Sequence, residues 1–437
     1  MENYDYDRFA NDITDLQLSN IDVRNSTPIF NEERNKDYIP YRTNKDEEYP
    51  DMLIRLFTNS SLHGAILRAK MDQVKGNGFV WDDGDAKENN ISDKMTEFVS
   101  DINDKNEDIN EVLDKVSKDL CLFNSFALLV TWSTDWSYIE SIEHIDFSKL
   151  RANKVKVIDN KPTIPGYWFC WDWTKQRQEK TFIPSFDADN ARKSSKAYKR
   201  AVEEGNNEEL EKLFLNPRTQ IIYYKDYFPN SFYYAYPSYV SALNAIETDV
   251  LCDQYGVNSF ERDLTANFLV TFFGVNTPEQ KREVASKFLR QYTGATKMKQ
   301  PIISFAKNLE DAMKIDQIAN SKEDKIYTSV NENTMQKILS GHRVTDPLLV
   351  GIKTSGQLGA TEELKQSINF WNKNVIIPIQ LKITKVFNKI MKINNLPYIS
   401  IEQLSLLNGV NDQEDDGQES GNNDDYVNTE ENENKTE

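Results

Sequence analysis

Residues 361–394 read TEELKQSINFWNKNVIIPIQLKITKVFNKIMKIN. Apolar side chains fall at Leu364, Ile368, Trp371, Val375, Ile379, Ile383, Val386 and Ile390. Steps of three and four place them on one face of a helix. At about 1.5 Å per residue the rod would run about 50 Å. Pro378 predicts a bend, because proline removes a backbone donor and clashes with the preceding turn. A rod of this length needs a large surface to lie against, and the rest of the chain must supply it.

The chain has 437 residues, enough for two or three domains, with 20 Tyr, 22 Phe and 7 Trp to fill cores. Its net charge is -18. Residues 411–437 hold 11 acids and one lysine, which leaves a mildly acidic body. Such a body argues against a tight, sequence-reading nucleic-acid binder, which needs positive charge against phosphate. It does not exclude a conduit through which DNA slides. Cys121, Cys170 and Cys252 are far apart, so a disulfide scaffold is not expected. With no secretory pattern and no run of 18 apolar residues, the expectation is an intracellular chain with no membrane partner.

Residues 1–48 are polar and tyrosine-rich, and read as an arm that pins to the body or a neighbour through Tyr4, Tyr6 and Phe9. Helices are expected around Leu53–Phe57, after a Ser60 or Ser61 cap, over Ile91–Phe98 and over Ile109–Ser125. From Phe126 the period changes to strands: FALLVTW, Ser137–Ile142, Lys154–Ile158, the aromatic run GYWFCWDW (166–173) and TQIIYY (219–224). The charged insert Asp187–Glu211 reads as a disordered-looking segment whose centre could form a solvated helix. Together, 49–235 reads as one α+β body. Ser238 is positioned to cap a helix running to about Leu264. Asn267–Phe273, a helix opened by Thr277 and Pro278, and Pro301–Phe305 form a small α/β module. A helix from a Ser321 cap to Ser340 follows, then turns to Ile352. The loop KTSGQLG (353–359) leads into the long helix, and residues from Gly409 onward read as disordered.

No familiar catalytic arrangement is present: no G-x-G-x-x-G, no P-loop, no H-E-x-x-H and no G-x-S-x-G. His63, His144 and His342 are too few for a histidine-rich metal site and read as surface or structural residues. Cys170, among tryptophans, reads as core. Asp187 and Asp189 could hold a cation only loosely, lacking the spacing of a calcium loop. The expectation is no enzyme, no cofactor and no metal. One pattern survives. The helix 236–264 carries Glu247, Asp249, Asp253, Glu261 and Asp263. In side-by-side copies these could line a passage whose negative charge keeps phosphate from adhering; in a monomer they are simply a solvated face.

Four stretches in this order resemble the portal proteins of tailed bacteriophages: YPDMLIRLFTNSSLHGAILRAKMDQVKGNGF (49–79), YAYPSYVSALNAIETDVLCDQYGVNSF (234–260), KIYTSVNENTMQKILSGHRVTDPLLVGI (325–352) and KTSGQLGATEELKQSINFWNKNVIIPIQLKI (353–383). The resemblance covers roughly 49–407. It implies a ring-forming α+β portal fold: an arm (1–48), a wing (49–235), stem helices (236–264 and 321–340) flanking a clip (265–320), a tunnel loop with a long kinked wing helix (341–407) and an acidic tail (408–437). It implies a homo-oligomer, usually of twelve copies, at one capsid vertex of the virion, assembled in the host cytoplasm. Double-stranded DNA would pass non-specifically during packaging and ejection. The packaging ATPase (the terminase large subunit), a head-tail adaptor, and major capsid and scaffold proteins would be its partners. Lys353 and Gln357 become candidate DNA-facing side chains beside Glu247, Asp249 and Asp253. The sequence departs from the family in having little after Leu407 to form a crown, and in the insert at 187–211. The competing classes are a metal-dependent nuclease (or a prohead protease) and another capsid-associated structural protein such as an adaptor. Removing Asn411–Glu437 is expected to leave ring formation intact in electron micrographs of the purified truncation; loss of rings would refute that expectation.

Overall fold

A computed structural model describes residues 28, 33–43, 48–81, 91–158, 160–175, 177–262, 269–274, 277–292, 302–306, 308, 323–352 and 361–404. The chain divides into residues 1–403 and 404–437, and of the second unit only Leu404 is described. The acidic tail, the arm through Thr27, the Ser321 cap and the loop 353–359 lie outside the described residues.

Helix α1 (Tyr49–Asn59) opens on Pro50 and buries Tyr49, Met52, Leu53 and Leu56. Helix α2 (Ser61–Lys75) follows at once, its first turn capped by Ser60, whose hydroxyl accepts from the His63 amide. It ends at Gly76, which has φ +60 and lies so close to the Glu402 carbonyl that a side chain would collide with it. That turn delivers strand β1 (Phe79–Trp81). Helix α3 (Ile91–Ser100) precedes α4 (Ile109–Phe123). The latter starts with a reciprocal box between Asp108 and Glu111, and buries Val112, Leu113, Val116 and Leu120.

Strand β2 (Ser125–Trp132) is the middle of an antiparallel sheet between β3 (Ile139–Ile145) and a later strand, and its near-continuous apolar run is buried on both faces. Strands β4 (Leu150–Ala152), β5 (Lys156–Ile158), β6 (Lys161–Thr163), β7 (Gly166–Phe169) and β8 (Thr181–Pro184) follow. They form the sheet β4-β7-β8 and the exposed hairpin β5-β6. The aromatic strand expected over 166–173 stops at Phe169. The Asp172 carboxylate accepts from the Thr174 amide and hydroxyl, so the chain turns. Trp173 folds back to donate to the Lys149 carbonyl, with the Arg151 guanidinium 4.9 Å from its ring.

The insert is an ordered helical hairpin rather than a loosely structured segment. Helix α5 (Ala188–Glu204) is capped by Asp187, which accepts from the Asp189 and Asn190 amides, and is closed by Gly205 in the left-handed region. Helix α6 (Asn207–Phe214) is capped by Asn206. Its high charge masked a narrow buried stripe of small residues, Ala191, Ser194 and Ala201. Strand β9 (Thr219–Lys225) then completes the first sheet against β2.

A 3-10 turn (Val240–Ala242) leads from Tyr239, rather than a Ser238 cap, into α7 (Leu243–Arg262). Strand β10 (Leu269–Phe273), helix α8 (Pro278–Tyr292) and strand β11 (Ile302–Ala306) make a βαβ unit, the two strands pairing in parallel from Leu269↔Ile302 to Phe273↔Ala306. Helix α9 (Glu323–Gly341) returns, and a short 3-10 turn occupies Pro347–Val350.

The long helix consists of α10 (Thr361–Trp371), a π-turn (Asn372–Ile376) and α11 (Ile377–Ile393). The irregularity falls one turn before Pro378, at the residues its ring would otherwise strike, and the Ile377 amide reaches back to the Asn372 carbonyl. Ile368, Trp371, Val375, Ile383, Val386 and Ile390 are buried, and Phe387 and Met391 add a second buried row. Three amide side chains tie α11 to its surroundings. Gln380 donates to the Gln73 and Val74 carbonyls at 3.2 and 3.3 Å. Asn388 pairs both backbone groups of Ile399, in the last strand β12 (Ile399–Ile401), at 3.0 and 2.8 Å. Asn394 does the same for Ile139 at 2.9 and 2.8 Å. β12 pairs antiparallel with β1, bringing Ile399–Ile401 against Phe79–Trp81.

Asn388→Ala leaves an amide and a carbonyl of β12 without partners. It is expected to lower unfolding free energy by about 1–3 kcal/mol, read from urea melts; an unchanged midpoint would show that water replaces the side chain at no cost.

Candidate functional site: the paired helices and their root

Helices α7 and α9 run antiparallel, because the end of α9 meets the start of α7. A Cβ at Gly341 would collide with that of Ala242, so glycine permits this close approach. From Gly341 outward a groove of about 1040 Å³ runs between them, lined by small polar side chains including Ser241, Asn244, Thr248, Asn333 and Thr334. Toward the body, Leu243, Ile246, Val250, Ile338 and Leu339 are buried. The βαβ unit is carried in sequence between the two helices.

The root of the pair is buried and polar. The His63 and His342 rings meet through nitrogens 2.8 Å apart. Tyr239 stacks on His342 at 4.8 Å and donates its hydroxyl proton to the Leu122 carbonyl at 2.9 Å. Burial, with Lys70 nearby, pushes His63 down to about 3 and lowers His342 strongly. A ring–ring hydrogen bond also requires one neutral acceptor nitrogen. The pair is therefore neutral near pH 7. The other two nitrogens, His63 Nε2 and His342 Nδ1, have no hydrogen-bond partner among the described residues. His144 is elsewhere, 2.7 Å from the Asp119 carboxylate. The contact between His63 and His342 joins residues 279 positions apart, and no local pattern signals it.

The sequence-derived acids separate by position. Glu247 lies 3.5 Å from Arg55 of α1. Asp249 accepts from the Ser60 hydroxyl at 2.6 Å; burial raises its pKa, and the Ser60 bond opposes that rise. Ser60 thus accepts from α2 and donates to α7 at once. Asp253 is exposed. The side chain of Glu261, and Asp263, Lys353 and Gln357, lie outside the described residues. Among the described residues no group of His, Cys, Asp or Glu could hold a metal. Asp187 is committed as a helix cap and Asp189 pairs with Arg192 at 2.9 Å. No helix among the described residues is long and apolar enough to cross a membrane.

No known family matches the sequence, and no curated protein matches it either. Among solved structures, the chain is similar to one in the neck of an empty GTA particle computed with C6 symmetry (TM-score 0.49, 11% identity, 86% of each chain covered). It is also similar to one in the virion of the native gene transfer agent (GTA) particle (0.46, 10%, covering 86% of this chain and 85% of that one). A third is in the neck of the native GTA particle computed with C12 symmetry (0.46, 10%, 86% of each). At these TM-scores the likeness carries no functional argument.

The depressed histidines set a pH dependence. Between about pH 6.5, where an unfolded histidine titrates, and about pH 3, the unfolded chain binds protons that the folded chain refuses. Stability is therefore expected to fall on acidification through this window, by up to about 1.4 kcal/mol per pH unit for each histidine. The slope of urea midpoint against pH between 6.5 and 5 should flatten in His63→Asn/His342→Asn. An unchanged slope would assign the acid sensitivity elsewhere.

Proposed function

We propose that the chain is the subunit of a portal, a closed ring that serves as a DNA channel at one vertex of a phage-like capsid. The observation that supports this best is the order and geometry of one segment. Two antiparallel helices rooted in an α+β body carry a βαβ unit between them, and the returning helix is followed in the chain by a long helix. That arrangement supports the wing, stem and clip order implied by the sequence resemblance; the proposed tunnel loop lies outside the described residues.

In this reading the copies close side by side, twelve by the family's usual count, and burial of their flanks sets a fixed bore. Helices α7 and α9 form the wall. Glu247 and Asp249, engaged with Arg55 and Ser60, hold the wall to the body, and exposed Asp253 is the carboxylate offered to the bore. Like charge there repels phosphate, so duplex DNA passes without adhering. Lys353 and Gln357 are the proposed DNA-facing side chains of the tunnel loop. The βαβ unit would meet the packaging ATPase and later the head-tail adaptor, while the body would meet capsid and scaffold proteins. The task is geometric, and no catalytic step is assigned to the chain.

Negative-stain imaging of the purified full chain over a range of concentrations tests this reading. The expected result is rings with a central hole, and no cleavage of duplex DNA when magnesium is added. Monomers at every concentration, or magnesium-dependent cleavage by the purified chain, would overturn it.

A further inference from the structure

Away from the paired helices, the sheet β4-β7-β8 carries an aromatic surface. Tyr38 and Trp173 pack with ring centres 4.7 Å apart, and Trp168 meets Phe182 at 5.2 Å. Trp171 is 69% exposed and Phe182 is 42% exposed, so the aromatic patch continues into solvent. Tyr38, Trp168 and Trp173 line a depression of about 570 Å³ whose rim carries Lys36, Lys175 and Lys180. Exposed aromatic patches of this kind mark interaction sites. The indole N–H groups are already used, Trp168 donating to Asn153 and Trp173 to the Lys149 carbonyl. What remains on offer is aromatic faces and a charged lining on which Lys36, Lys175 and Lys180 outweigh the single carboxylate of Asp37. The rim lysines are held by exchangeable surface contacts: Lys36 by Glu33, Lys175 by Asp172, and Lys180 over the Tyr38 and Trp173 rings. Exposed ion pairs of this type are worth little, so a competing carboxylate can replace them.

We propose that this depression is the docking site of the chain's own segment Met1–Phe9, MENYDYDRF. The segment has the complementary chemistry. Tyr4, Tyr6 and Phe9 supply rings, and Glu2, Asp5 and Asp7 supply carboxylates against a lysine rim. In an extended strand, Tyr4 and Tyr6 share one face. The connection is also favourable. Close to the start of the described chain, Lys36 and Tyr38 line the depression and Tyr38 bridges to Asn153 beside β4. The 19 residues from Phe9 to Pro28, the first described residue, reach up to about 65 Å when extended. That reach serves this depression or the same one on a neighbouring copy, and attachment raises the local concentration of the segment. A single-stranded nucleic acid would also stack on such a surface, but it would have to approach a chain of net charge -18 without that tether.

Placing p-benzoylphenylalanine at Tyr6 of the full chain, irradiating it and mapping the cross-linked peptides tests the assignment. The expected cross-links fall within residues 35–42 or 168–182, on the same or another copy. Lys175→Glu/Lys180→Glu should lower their yield by about fivefold, and adding Asp5→Lys/Asp7→Lys should restore it. Lys175→Glu alone, at a highly exposed position, should show a smaller loss in the same direction should the double variant fold poorly. Cross-links elsewhere, no cross-links, or a yield indifferent to the charge swaps would overturn the proposal. So would oligothymidylate quenching tryptophan fluorescence in a chain whose segment cross-links nowhere on this surface. None of these results depends on whether rings form.

Discussion

Helix α11 has to bury an apolar face across chain segments whose amides and carbonyls lack ladder or helix partners. Gln380, Asn388 and Asn394 meet that constraint by acting as substitutes for backbone. A buried carbonyl left unpaired costs about 1–3 kcal/mol, so an apolar helix without these amides would not seat there. With them, one rod fixes the end of α2, the strand β12 and the start of β3 relative to each other. The pairing of β1 with β12, and the Asn77 amide donated to the Glu402 carbonyl, follow from that placement.

The same economy of polar contacts joins the paired helices to the body. Ser60 caps α2 and donates to Asp249 of α7 through one hydroxyl. Tyr239, His63 and His342 bring α2, α4 and both paired helices to one buried point. Burial lowers the pKa of both histidines, so this point is a packed contact between neutral rings near pH 7. A helix pair held in this way keeps a fixed position relative to the body.

Much of the chain's course was readable. The three- and four-residue steps of 361–394 identify the buried face, since a helix that lies on a large surface must repeat its apolar residues at that period. The alternation of β10, α8 and β11 was also visible, although not that its strands pair in parallel. Other features resisted reading because their signals are short or non-local. Asp172 ends the aromatic strand through one carboxylate that competes with the ladder, a choice that strand propensity does not record. A central helix in the insert was readable, but not its pairing with a second one, which rests on a narrow stripe of Ala191, Ser194 and Ala201 and on the edge contact of Tyr198 with Phe214.

The sequence alone determined the helix and strand periods, the caps at Ser60 and Thr277, the acidic balance and the presence of an irregularity near Pro378, all consequences of composition or of interactions within a few residues. The candidate acids show what it could not settle. Glu247, Asp249 and Asp253 are equivalent on paper, yet only the folded chain places Arg55 and Ser60, nearly two hundred residues away, against the first two and leaves the third exposed. The same holds for the meeting of His63 with His342. Such partners are chosen by packing of distant segments, and a linear pattern carries no record of which segments will touch.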